Sequence, residues 1–88
     1  MKKVIDLAQV KSRTDLHDLL ARNLDFPDYY GKNLDALFDC LTDSHEFWDI
    51  EFKNCAMAES GLGEYFNLFK QTVADAQDKS FFLKATWD

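Results

Sequence analysis

At 88 residues the chain has room for one small domain, near the lower limit at which an apolar core holds without disulfides or metals. Hydrophobic residues make up 47% and aromatics 15%, which is enough for such a core and excludes a disordered chain. Lysine and arginine total 10 against 16 aspartates and glutamates; the net charge of −6 argues against nucleic acid and anionic membranes as partners and in favour of basic ones.

In chain order, Val4-Ile5-Asp6-Leu7 behind Lys2-Lys3 predicts a short strand. Ser12 or Thr14 is placed to cap a helix over 15–24, in which Leu16, Leu19, Leu20 and Leu24 share one face and Asp18 and Arg22 pair outside. That helix should stop by Asp25, because Phe26 precedes the sole proline, Pro27, and is biased away from helical geometry. Residues 25–33 read as a loop, with Gly31 the position most able to take a positive φ. A second helix follows over 34–43, then a strand in which Trp48, Ile50 and Phe52 alternate with Asp49, Glu51 and Lys53. Residues 54–60 are expected to be irregular or a single turn. Ser60 is a candidate cap for a longer helix, with Gly61 and Gly63 weakening its first turn. Leu62, Tyr65, Phe66, Phe69, Val73 and Ala76 mark the buried face of that helix, Asp78-Lys79 break it, and 80–86 form the last strand. Strands joined by helices predict an α/β domain over 1–88 with a three-stranded parallel sheet and right-handed crossovers.

The second helix carries the unusual feature. Leu34, Leu37, Phe38 and Leu41 occupy one face, and Asp35, Asp39 and Asp43 fall at i, i+4 and i+8 on another. Like charges four apart repel by a few tenths of a kcal/mol, and no Lys or Arg stands between Lys32 and Lys53 to relieve them. Asn33 is a candidate N-cap, which puts Asp35 in the first turn, where a carboxylate suits the helix dipole. Asp39 and Asp43 lie towards the other end, where the dipole opposes them. An acidic stripe that local energetics disfavour points to a cation supplied from outside the chain.

Other chemistry finds less support. His17 and His45 sit in no nucleophile motif and read as surface or half-buried histidines. The three aspartates offer hard oxygen ligands, but no phosphate-cradling glycine loop accompanies them; no metal site, cofactor or enzymatic activity is expected. Cys40 and Cys55 fit no metal spacing and make no disulfide framework; Cys40 reads as a packing thiol near the apolar face. The paired Tyr29 and Tyr30 are equally explained as padding against the core or as rigid anchors of a protein interface. No signal peptide and no apolar run long enough for a bilayer is read in the sequence, so a cytoplasmic protein, monomeric when free, is expected.

The segment PDYYGKNLDALFDCLT, residues 27–42, resembles the central segment of the barstar family, inhibitors of barnase-like ribonucleases. Ser12, Asp15, Leu16 and His17, with the opening Val4-Ile5, extend the resemblance upstream. It implies a barstar-like α/β fold, a three-stranded parallel sheet with three to four packed helices. It further implies a non-enzymatic inhibitor that blocks a basic, extracellular-type ribonuclease, or a related toxin, with its second helix and the loop before it. Asp39 would stand in for RNA phosphate and Asp35 would pair with an arginine of the enzyme. Tyr29 and Gly31 would contact the enzyme's catalytic histidine and guanine-binding region, and Asn33 and Thr42 would make flanking contacts. Phe38 would contribute at a position where the family carries tryptophan, and Gln71 replaces an acidic residue. Segment 43–47 lacks a family tryptophan and carries His45. The alternative is an acidic immunity or interaction module that binds a different basic toxin or partner without inhibiting a ribonuclease.

Overall fold

The computed structural model describes residues 2–43 and 47–88. Among these residues seven elements follow one another: β1 (Lys2–Asp6), α1 (Arg13–Leu24), α2 (Leu34–Asp43), β2 (Trp48–Lys53), α3 (Cys55–Leu62), α4 (Glu64–Lys79) and β3 (Leu83–Trp87). The strands form one parallel sheet in the order β1-β2-β3, with Ile5 opposite Phe52 and Phe52 opposite Trp87. The expected three-stranded α/β architecture is present, with four helices.

Period-two alternation decides which face of the sheet is covered. Ile5, Trp48, Ile50, Phe52 and Leu83 are buried together with Leu16, Leu20, Leu37, Leu41, Phe66, Phe69 and Val73 of the helices. Phe52 stacks on Trp87 at 4.5 Å and meets Phe69 edge-on at 5.5 Å, so aromatic packing ties the central strand to α4. The opposite face carries Lys2, Val4, Asp6, Asp49, Glu51, Lys53, Lys84 and Thr86, none of them buried. Parallel sheets are ordinarily covered on both sides. Here charge takes the place of a covering layer: Lys53 bridges Glu51 at 2.6 Å and Asp88 at 2.9 Å, and Lys2 reaches Glu51 at 3.6 Å. These pairs hold the Glu51 carboxyl below, and the Lys53 ammonium above, its ordinary range.

Several boundaries differ from the sequence reading. Residues 54–60 are not irregular: Cys55–Leu62 is helical, entered from Asn54 at φ 59°, whose side chain bonds Asp6 (2.7 Å) instead of capping. Ser60 therefore lies inside α3, and the break before α4 is Gly63, at φ 59° and ψ −133°. Gly61 is there for room: a β-carbon on it meets the Val10 carbonyl oxygen at 3.0 Å and the Lys11 α-carbon at 3.1 Å. Ser12 is the cap of α1, accepting from the Asp15 amide at 3.1 Å. Its neighbour Thr14 is inside the helix. Asp18 pairs with Lys32 at 2.8 Å, not with Arg22. β3 begins at Leu83 because the Ser80 amide still donates to the Ala76 carbonyl and the Phe82 amide donates to Ser80 Oγ, leaving 80–82 as a turn. Among the described residues no helix is long and apolar enough to cross a membrane.

Candidate functional site

The site is built by the loop over 25–33 and the helix it feeds. Asp25, at φ 54°, ends α1 in the left-handed region, and the Tyr30 amide closes a turn onto the Pro27 carbonyl at 2.9 Å. This turn sends the tandem tyrosines opposite ways. Tyr30 is buried against Phe26, 4.8 Å between rings, whereas Tyr29 is 88% exposed. Tyr30 therefore pads the core, and Tyr29 is left on the surface.

Tyr30 is held from below by a histidine that the sequence reading left half-buried at most. His17 is fully buried, its Nδ1 lying 2.6 Å from the Tyr30 hydroxyl and its Nε2 2.7 Å from the Tyr65 hydroxyl. A neutral imidazole has one donor and one acceptor nitrogen, so one hydroxyl accepts from it and the other donates to it. The relay ties α1, the loop and α4 together. Burial lowers the pKa of His17 against a weaker upward pull from Asp18, and burial raises both tyrosines. Nothing in the sequence signals this relay, because its partners lie 13 and 48 positions away.

Beyond Tyr30 the chain turns sharply into α2. The positive φ of this turn belongs to Lys32, at 53°, and not to Gly31. The Lys32–Asp18 ion pair fastens the conformation to α1. Asn33 caps α2 as expected: its Oδ1 accepts from the Ala36 amide at 2.8 Å, and its Nδ2 donates to the Gly31 carbonyl at 3.2 Å. Leu37 and Leu41 are buried, Leu34 and Phe38 half-buried, and Asp35, Asp39 and Asp43 exposed. Thr42 donates to the Phe38 carbonyl at 2.8 Å. Phe38 carries one contact the sequence did not suggest, the Lys79 ammonium 5.5 Å above its ring.

Among the described residues the Asp39 side chain makes no hydrogen bond and no ion pair. It borders an open depression of about 580 Å³ whose lining includes Tyr29, Phe26, Cys40, Asp43 and Trp48. Cys40 is half-buried in this wall, and its thiol pKa is pushed up first by burial and then by Asp39 and Asp43. It packs against the hydrophobic core. No group of three His, Cys, Asp or Glu side chains among the described residues is placed to hold a metal ion. His45, the other candidate histidine, lies outside the described residues. Tyr29, Gly31, Asn33, Asp35, Phe38, Asp39 and Thr42 therefore share one loop–helix unit, with the exposed carboxylates of Asp35, Asp39 and Asp43 along its helix.

The sequence profile of the family described as Barstar (barnase inhibitor) matches residues 1–84. The chain belongs to the barstar family. It is also 39% identical over 79 residues to the Bacillus subtilis (strain 168) protein named "Putative ribonuclease inhibitor YrdF", covering 89% of this chain and 87% of that one. The barstar resemblance first visible at residues 27–42 thus extends over nearly the whole chain.

Proposed function

We propose that the chain inhibits a basic, barnase-like ribonuclease by seating α2 and the loop before it in the enzyme's active-site cleft. The family and the ribonuclease-inhibitor relative support an inhibitor and not an enzyme. The observation that carries the finer reading is the Asp39 carboxylate, held on the packed helix α2, exposed, and unpaired among the described residues.

A ribonuclease active site must be cationic to hold RNA phosphate. A carboxylate fixed on a helix can take the place of that phosphate, forming charge-assisted hydrogen bonds that are bidentate where arginine is involved. Asp35, one turn earlier, pairs with a second cationic group. Tyr29 supplies exposed aromatic area; Gly31 and Asn33 fix the approach of the backbone. The net charge of −6 steers the encounter with a basic enzyme. The test is a titration of barnase-catalysed RNA cleavage with the purified chain and its variants. Asp39→Ala should lose far more inhibition than Glu64→Ala, an exposed acid at the start of α4, and high salt should weaken the wild type. Equal losses from the two substitutions count against the reading, and binding to a basic protein that has no nuclease activity favours the interaction-module alternative.

A further inference from the structure

We propose, building on the ribonuclease-inhibitor reading, that Phe47, Phe81 and Phe82 form a second, apolar contact surface for the same basic ribonuclease, beside the acidic helix. Phe81 is 95% exposed, Phe47 58% and Phe82 44%, and the rings of Phe47 and Phe82 meet edge-on at 6.4 Å. Large exposed aromatics in contact with one another mark an interaction surface more often than chance exposure. The turn that carries Phe81 and Phe82 is pinned through its backbone. Ser80 donates its amide to the Ala76 carbonyl at 2.9 Å and accepts the Phe82 amide on its hydroxyl at 3.2 Å, while the Phe82 carbonyl accepts from the Trp48 amide at 2.6 Å. A rigid exposed aromatic loses little freedom when a partner covers it.

Two links make the patch continuous with α2. Trp48, bonded to Phe82, is also a wall of the depression that Asp39, Asp43 and Tyr29 border. Lys79, two residues before Phe81, lies over the ring of Phe38. The patch and the acidic stripe thus meet at the amino-terminal end of the sheet, and one partner seated on α2 reaches both. Charge selects the occupant. Asp39 and Asp43 line the depression that Trp48 walls, so a basic enzyme seated there meets complementary charge beside the patch. A second copy would bring another net charge of −6 against it. Aromatic anchors beside charge are the composition of energetic centres in protein interfaces. The open shoulder of the ribonuclease next to its cationic cleft is therefore the surface the patch fits, apolar at its centre with lysine or arginine at its rim.

The experiment compares Phe81→Ala, the double variant Phe47→Ala/Phe81→Ala and Asp39→Ala, with barnase as the probe. It reads Kd, dissociation rate, salt dependence and urea midpoint. Phe81→Ala should keep the wild-type urea midpoint and raise Kd about tenfold, through faster dissociation. That ratio should hold from low to high salt, whereas the loss from Asp39→Ala should shrink as salt rises. Phenylalanine variants that bind within about twofold of wild type, alongside a large Asp39→Ala loss, overturn the patch and leave the inhibitor reading standing. A flat Asp39→Ala result, or a wild type that does not bind barnase, overturns both. A wild type that sediments as a dimer and becomes monomeric on Phe81→Ala overturns the proposal by giving the patch to a second copy.

Discussion

Replacing Asp39 by alanine should move folding stability and partner binding in opposite directions. In the free protein the Asp39 carboxylate has no partner to lose among the described residues. It sits four residues from Asp35 and four from Asp43, and each such like-charge pair costs a few tenths of a kcal/mol. Alanine is also the better helix former, by roughly 0.5 kcal/mol, and the change removes a negative charge from the half of α2 where the dipole opposes it. The free chain should therefore gain about 0.5–1.5 kcal/mol. In the complex the same change leaves cationic enzyme groups buried without a counter-charge, which costs ~3–5 kcal/mol and raises Kd roughly 150- to 4,000-fold. Urea denaturation followed by tryptophan fluorescence reads the first effect, and titration of barnase activity reads the second. A lowered urea midpoint would mean that the carboxylate serves the fold. A Kd raised less than about threefold, under 1 kcal/mol, would mean that it does not face the enzyme's cations; either result refutes the reasoning.

Three further outcomes follow from the packing. Tyr30→Phe removes one end of the His17 relay and leaves a buried ring nitrogen unpaired; a loss of about 1–3 kcal/mol in urea is expected, with faster dissociation from barnase because the loop loses its anchor. The burial-lowered pKa of His17 makes the unfolded chain the better proton binder below its ordinary 6.5. The His17 contribution to stability is therefore complete above that pH and is lost as pH falls from there towards the folded-state value. His17→Phe should flatten that slope of urea midpoint against pH while lowering stability at pH 7, because the buried Tyr30 hydroxyl and the half-buried Tyr65 hydroxyl lose their partner. Gly61→Ala places a β-carbon 3.0 Å from a backbone oxygen. Overpacking of ~1–3 kcal/mol then outweighs the ~1 kcal/mol gain in helix propensity, so its urea midpoint should fall.

The sequence carried the sheet and the buried helix faces because both rest on short-period patterns. Trp48, Ile50 and Phe52 alternate, and Leu34, Leu37, Phe38 and Leu41 recur at helical spacing, before any tertiary contact is known. The Asn33 cap and the exposed acidic stripe were legible for the same reason: local chemistry determines them. α3 was missed because Gly61 and Gly63 read as weakening the first turn of a helix that begins only after Ser60. Asn54 instead enters the helix in the left-handed region, Gly61 is needed by the Val10 backbone, and only Gly63 interrupts. The pairing of Asp18 was misassigned because Arg22 is near in sequence while Lys32 is near in space. The His17 relay and the Lys79–Phe38 contact join residues far apart in the chain, and no periodicity encodes them. The cap, the buried face and the acidic stripe of α2 were therefore visible, and the struts that hold them were not.

Competition gives the most direct test of whether α2 occupies a phosphate site. Barnase is titrated with the purified chain at increasing concentrations of a nucleoside monophosphate, and the apparent Kd of the chain is read at each. If Asp39 takes the place of RNA phosphate, that Kd rises linearly with nucleotide concentration, and Asp39→Ala weakens the dependence. A Kd that stays constant while the nucleotide saturates the enzyme contradicts the account.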